Sequence, residues 1–165
     1  MIKDIQSTIT FILEMEKLKG VLRKIKPVGQ NRYENSAEHS WQIALFALAM
    51  QPYANEDVDI TKVLKMLLLH DIVEIDTGDT IVYDDGDAQM RHQAEKQAAK
   101  RLFALLPDSI GAEFESLWHE FENEKTPEAK YARGMDRVLP ILQNLNNSGQ
   151  SWVENGIRKE QVLEK

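Results

Sequence analysis

Helical spacing of apolar residues is the feature that most constrains the fold of this 165-residue chain. It recurs in successive segments, whereas the alternation of apolar and polar residues that marks half-buried strands is scarce. The spacing predicts helices over about 3–19, 36–50, 61–75, 88–106, 109–122 and 127–146, followed by a weaker amphipathic tail after Gly149. We therefore expect an all-α, single-domain helical bundle of about six or seven helices that spans residues 1–165.

Two of these helices are apolar on nearly every side. The stretches "IALFALAM" and "VLKMLLLH" leave little polar surface, which is typical of helices at the centre of a bundle. Trp41, on the first of them, is therefore expected in the core. Asn35 or Ser36 can cap that helix, and Thr126 followed by Pro127 predicts the start of helix 127–146.

Composition and charge narrow the possible functions. Hydrophobic residues make up 42% and charged residues 28%, which is ordinary for one globular domain. The absence of cysteine excludes disulfides and thiolate metal sites, and the net charge of −7 argues against a nucleic-acid partner. The sequence has no apolar core of a secretory signal and no run near the roughly 18 apolar residues of a membrane span. We expect a cytoplasmic protein without a membrane partner.

A cluster of titratable residues follows directly on an apolar run in "LLLHDIVEIDTGDT", residues 67–80. A buried carboxylate such as that of Asp71 is costly unless it is paired or binds a metal. Glu74, four residues after His70, shares its helix face. Another histidine lies at the start of the first apolar helix, and another aspartate lies in helix 127–146. The candidate ligands of one divalent transition ion, such as Co, Mn, Zn, Fe or Ni, are thus His39, His70, Asp71 and Asp136.

Each of these residues also has a purely structural interpretation. A His-Asp dipeptide arises easily by chance, and His39 could be a core or capping group. Asp136 could simply pair with Arg133 or Arg137. The metal hypothesis is favoured because all four candidates fall on helices that are predicted to be buried.

A basic segment precedes His39. Residues 17–33, "KLKGVLRKIKPVGQNRY", contain six Lys or Arg and no acid. This segment is therefore positively charged, although the net charge of the whole chain is −7. Local positive charge of this kind favours binding of a phosphate group. The candidates are Arg23, Lys24, Lys26 and Arg32, with Lys130 and Arg133 as weaker ones; a solvated basic loop is the alternative.

The motifs "ENSAEHS", "LLLHDIVEIDTGD" and "AKYARGMDRV" resemble the signature of the HD-domain metal-dependent phosphohydrolases. Within that family the chain most resembles the 5'-deoxynucleotidases and their oxetanocin-like relatives, over roughly residues 10–145. The resemblance implies an α-helical homodimer that hydrolyses nucleoside 5'-monophosphates to nucleoside and phosphate. It also implies a single ion held at the positions of His39, His70, Asp71 and Asp136.

Two further acids acquire expected roles from the resemblance. Glu74 matches the position of the general acid, and Asp79 matches an acid close to the nucleotide. A carboxylic acid one turn from a metal ligand can protonate a departing alkoxide, although Glu74 could instead hold a ligand in place. Asp79 follows "TG" and could contact a sugar hydroxyl, position water, or be an ordinary turn residue.

One departure from the family pattern concerns the sugar. The bacterial deoxynucleotidases carry a tryptophan just after an arginine in the basic segment, whereas here Lys24 and Ile25 follow Arg23. Preference for deoxyribose is therefore in doubt.

Two other functions stay open. One is a dinuclear HD phosphodiesterase with His92 and His119 as extra ligands. The other is a non-catalytic protein whose ion ties helices together around a nucleotide-binding cleft.

Overall fold

The computed structural model describes residues 1–81, 83 and 88–164, and this part of the chain forms helices without a β-strand. In chain order the α-helices are α1 (Ile2–Met15), α2 (Ser36–Met50), α3 (Ile60–Leu69), α4 (Glu74–Thr77), α5 (Ala88–Phe103), α6 (Asp108–Asn123), α7 (Pro127–Leu145), α8 (Gln150–Glu154) and α9 (Lys159–Leu163). The all-α prediction is confirmed. The six predicted helices correspond to α1, α2, α3, α5, α6 and α7.

Two helix starts follow from local chemistry. The Asn35 side chain accepts a hydrogen bond from the Glu38 amide, and the Glu38 carboxylate accepts one from the Asn35 amide, which completes a capping box. Thr126 accepts from the Ala129 amide, with Pro127 as the first residue of α7. Both predicted caps are confirmed.

The core lies where α3 packs against α2, α6 and α7. Val63, Met66 and Leu67 of α3 are fully buried there. Phe114 of α6 contacts Phe11 and Phe103 edge to face, with ring centroids 6.2 and 6.3 Å apart, which ties α1 and the end of α5 to the core. Over the described residues, no helix combines the length and apolarity that a bilayer span demands.

The prediction that Trp41 lies in the core is wrong. Trp41 is 63% exposed, and Leu45 and Leu48 on the same side of α2 are exposed as well. Helix α2 packs on α3 and α7 through the side that carries Ile43 and Ala47. When a helix is apolar on every side, its sequence does not indicate which side packs against the neighbouring helices. The exposed side of α2 that carries Trp41 could therefore not be distinguished from the buried side.

The predicted helix 61–75 is interrupted at the site. Helix α3 ends at Leu69, residues His70–Val73 form a 3-10 turn, and α4 begins at Glu74. The 3-10 turn winds more tightly than an α-helix, so it changes where successive side chains point. Helix α7, by contrast, continues through the internal Pro140.

Candidate functional site

Three of the four predicted ligands converge from separate elements. His39 Nε2 from α2 lies 3.0 Å from Asp136 Oδ1 of α7, and His70 Nε2 from the 3-10 turn lies 3.6 Å from the same oxygen. One ligand atom of each residue lies within 4.8 Å of the other two. Both imidazoles are buried.

Asp71 joins this group through His70. Its Oδ1 lies 2.9 Å from His70 Nε2, and its Oδ2 accepts a hydrogen bond of 3.1 Å from Arg23 Nη1. The side chain of Asp71 is 10% exposed, so its charge is largely shielded from water. The four predicted ligands therefore form one cluster. Within it, the carboxylate of Asp71 contacts His70 through one oxygen and Arg23 through the other.

The donor set fits a divalent transition ion. His70 Nδ1 lies 2.8 Å from the carbonyl oxygen of Leu67, so Nδ1–H donates to it, and Nε2 is the nitrogen that would bind an ion. That Nε2 is buried and has no hydrogen-bond partner of normal geometry among the described residues, although it faces Asp71 and Asp136. A ring nitrogen oriented by a carbonyl and surrounded by carboxylate oxygens is the arrangement seen at metal ligands.

The electrostatics of the cluster favour a cation. Burial opposes ionisation of Asp136, but the hydrogen bond with His39 and the nearby His70 ring hold its pKa well below the usual range. Burial opposes ionisation of Asp71 too, and the neighbouring His70 and Arg23 lower its pKa. Burial lowers the pKa of His70, yet the charges of Asp71 and Asp136 outweigh burial and raise it to about 10. The carboxylates of Asp71 and Asp136 thus stabilise a positive charge between them.

Glu74 and Asp79 lie beside this cluster. Ser36 Oγ donates a hydrogen bond of 2.5 Å to Glu74 Oε2, and burial together with the charge of Asp71 raises the pKa of Glu74 to about 9. Asp79 Oδ1 lies 3.5 Å from Arg23 Nη1, and burial raises the pKa of Asp79 as well. In the metal-free chain, burial and the charge of Asp71 thus favour the protonated form of the Glu74 carboxyl.

The structure brings two of the four principal basic candidates to the site. Arg23 and Lys24 line the cleft next to the cluster. Lys26 instead pairs with Glu154 at 3.1 Å, and Arg32 is held by Glu38 through two contacts at the surface.

Of the weaker basic candidates, Arg133 lines the cleft and Lys130 is exposed. The Arg133 guanidinium lies 4.0 Å from the centre of the Phe121 ring and pairs with Glu122 at 2.9 Å. The Lys and Arg side chains that line the cleft are Arg23, Lys24, Arg133 and Arg137.

The cleft has a volume of about 540 Å³ and an apolar wall beside its charged residues. Ile25, Ile141, Trp152 and Val162 contribute to that wall. The tail after Gly149 gave only a weak amphipathic signal, so sequence reasoning missed Trp152 and Val162. It also missed Glu34, a buried acid five residues before His39.

The histidines considered for a second ion do not meet in one group. His92 Nδ1 lies 3.9 Å from Glu95 Oε2 and 4.0 Å from Glu122 Oε2, and these residues form a separate, partly exposed cluster. His119 lies 3.9 Å from Glu115 and is outside that cluster.

Comparison with known proteins places this geometry in a family. The HD domain family model matches residues 15–165. A crystal structure from Magnetospirillum magnetotacticum MS-1, described as a predicted metal-dependent phosphohydrolase, is 41% identical, with a TM-score of 0.93 over 98% of this chain and 81% of that chain.

Several relatives carry the name 5'-deoxynucleotidase HDDC2, among them proteins from Xenopus laevis and Dictyostelium discoideum. The Xenopus laevis protein is 29% identical over 139 residues, which are 81% of this chain and 68% of that protein. The Dictyostelium discoideum protein is 28% identical over 163 residues, 92% of this chain and 86% of that protein. With the family model matching nearly the whole sequence, the chain belongs to the HD-domain family and is one of its metal-dependent phosphohydrolases.

Proposed function

We propose that the chain is a phosphomonoesterase that hydrolyses nucleoside 5'-monophosphates, with 5'-deoxyribonucleotides as the preferred class, to nucleoside and phosphate. The observation that carries the proposal is the convergence of His39, His70 and Asp136, with Asp71 beside them, next to the buried carboxyl of Glu74, whose pKa is raised. The relatives named 5'-deoxynucleotidase support the substrate class.

His39, His70, Asp71 and Asp136 would hold one divalent ion, with Co, Mn, Zn, Fe and Ni as the candidates. Such an ion supplies Lewis-acid activation of water and of the phosphoryl group. Because the ligands come from α2, the 3-10 turn and α7, the packing of these elements fixes the position of the reacting phosphate.

Glu74 would act as the general acid. Its carboxyl keeps a proton at neutral pH because its pKa is raised to about 9, and the Ser36 hydroxyl fixes one of its oxygens. Donation of that proton to the 5'-oxygen of the sugar lets the nucleoside depart as a neutral alcohol. Asp79 would then contact the sugar or a water molecule.

Arg23 and Lys24 would bind the phosphate oxygens. Arg23 already lies between Asp71 and Asp79, so a phosphate beside the metal ligands would face its guanidinium. Ile25, Ile141 and Trp152 give the cleft an apolar wall against which a nucleobase can pack. Charged and apolar surfaces in one cleft suit a molecule that carries both a phosphate and an aromatic base.

The proposal includes a homodimer, as the resemblance implies, and a cytoplasmic location, as expected from the sequence pattern. On α1, the shared face of Ile5, Ile9, Ile12 and Leu13 is exposed, although Phe11 of the same helix is buried. An exposed apolar face of this kind supports a contact between copies. Light scattering coupled to size exclusion tests it, since a monomer at micromolar concentration would contradict a stable dimer.

Phosphate release is the direct test of the activity. Protein loaded separately with Co²⁺, Mn²⁺, Zn²⁺, Fe²⁺ or Ni²⁺ is incubated with ribo- and deoxyribonucleoside mono-, di- and triphosphates, with Asp136→Ala as the blank for contaminating phosphatases. We expect release from 5'-monophosphates, fastest with the deoxyribonucleotides. Metal bound without release from any nucleotide would overturn the proposal and favour the binding-only function. Faster cleavage of a phosphodiester than of a monoester would favour a diesterase.

A further inference from the structure

Glu34 is among the most buried acids of the described chain, with 1% of its surface exposed. Its backbone is fixed against the basic segment. The Arg23 amide donates to the Glu34 carbonyl at 2.8 Å, and the Glu34 amide donates to the Ile25 carbonyl at 2.9 Å. This short antiparallel pairing places Glu34 directly between the basic segment and the start of α2.

Three donor groups face the Glu34 carboxylate. Gln143 Nε2 donates to Oε1 at 2.7 Å. His39 Nδ1 lies 3.3 Å from Oε2, and Arg23 Nε lies 3.4 Å from the same oxygen. Among the described residues, His39 Nδ1, Arg23 Nε and Glu34 Oε2 are all buried and make no hydrogen bond of normal geometry. The ion-pair distances place both nitrogens against this one oxygen.

We propose that Glu34 is a positioning residue that orients His39 toward the ion and Arg23 toward the substrate phosphate. When an ion is bound, an Nδ1–H directed at Glu34 would leave the lone pair of His39 on Nε2, the atom that faces Asp136. With Nε paired with Glu34 at 3.4 Å, the far end of Arg23 is turned so that Nη1 lies 3.1 Å from Asp71 and 3.5 Å from Asp79. The Arg23 part rests on the proposed function, whereas the His39 part requires only the metal site.

One carboxylate thus links the metal ligand to the phosphate-binding cation. A buried carboxylate is costly by itself, and here Arg23 and Gln143 offset that cost. Since both functional side chains use the same oxygen, a change at Glu34 is expected to disturb the metal site and the phosphate site together.

The variants separate this role from ordinary packing. Glu34→Met removes the acceptor but keeps an unbranched side chain, and we expect its Zn²⁺ affinity to fall 10- to 100-fold. Glu34→Gln keeps one oxygen that can face His39, so it should recover part of that loss. Gln143→Met is the matched control, because it removes a hydrogen bond to Glu34 without altering the donors at Oε2. Its Zn²⁺ affinity should stay within about threefold of wild type.

Imidazole ¹⁵N shifts of the Zn²⁺-loaded wild-type protein test the idea without any substitution. We expect His39 to carry its proton on Nδ1 and to bind through Nε2. A proton on Nε2, or wild-type Zn²⁺ affinity in a folded Glu34→Met variant, would overturn the proposal. Inorganic phosphate binding to the Zn²⁺-saturated Glu34→Gln variant reports on Arg23 separately, and we expect it to weaken severalfold. If wild-type protein binds no phosphate, the proposed function fails while the Zn²⁺ and ¹⁵N results still decide the role toward His39.

Discussion

The hydroxyl of Ser36, the first residue of α2, donates a hydrogen bond of 2.5 Å to Oε2 of Glu74, the first residue of α4. Helix α2 also carries His39, three residues further on, so one helix start supplies a candidate ligand and a group that fixes the candidate acid. The bond joins the start of α2 to the start of α4. It holds the Glu74 carboxyl beside the metal ligands through contacts of the chain itself.

Glu74→Gln is expected to retain the metal and lose turnover. The amide has nearly the shape of the acid but cannot donate the proton that the leaving oxygen requires, so kcat should fall by roughly 10²–10⁴. Metal stoichiometry and kcat are measured on the same preparation. Ser36→Ala is the companion variant: it leaves the acid in place without its hydroxyl partner, so its loss of kcat should be smaller. Loss of the ion from Glu74→Gln would make this residue a ligand instead.

Glu74 also predicts how the stability of the metal-free protein depends on pH. Burial and the charge of Asp71 raise its pKa from 4.5 to about 9, so between these values the folded chain binds a proton that the unfolded chain has released. The free energy of unfolding should therefore fall as pH rises through this window, by up to about 1.4 kcal/mol per pH unit. Denaturant titrations of chelator-treated protein at pH 6 and 8 measure the slope. The slope should be clearly smaller in Glu74→Gln, and equal slopes would contradict the prediction.

The helix starts that sequence reasoning predicted correctly depend on local chemistry. Asn35 and Thr126 cap helices through their own side chains, and these contacts involve residues only three positions away. The meeting of His39, His70 and Asp136 could be expected because buried polar groups in an apolar bundle need common partners.

What the sequence did not reveal depends on tertiary contacts. The 3-10 turn at His70 interrupts an apolar run that has full helical periodicity. Glu34 reaches His39 and Arg23 only because the chain folds back on itself between the basic segment and α2. Trp152 lines the cleft because the end of the chain returns to α7, where Asn144 accepts hydrogen bonds from the first residues of α8.

Alanine at any of the four candidate ligands is expected to abolish tight metal binding. Each removal leaves an incomplete donor set in a buried site, and the remaining groups cannot compensate. Equilibrium dialysis with metal analysis measures the effect for His39→Ala, His70→Ala, Asp71→Ala and Asp136→Ala. His92→Ala and His119→Ala are the controls, since both histidines are partly exposed and lie outside the cluster. Halved metal content in His92→Ala would instead indicate a second ion and revive the dinuclear alternative.

Arg23→Ala is expected to weaken capture of a nucleoside monophosphate by about 1.5–3 kcal/mol, the usual range for a lost charged hydrogen bond. That corresponds to a rise in KM of roughly 10- to 150-fold. Metal content should not fall, because removing a cation beside Asp71 leaves more negative charge for the ion. Arg32→Ala and Lys26→Ala are matched controls from the same basic segment, since Glu38 and Glu154 already neutralise these charges away from the cleft. We expect both controls to keep wild-type KM. Equal defects in Arg32→Ala and Arg23→Ala would mean that the segment acts through its overall charge, and an unchanged KM in Arg23→Ala would remove the guanidinium from substrate binding.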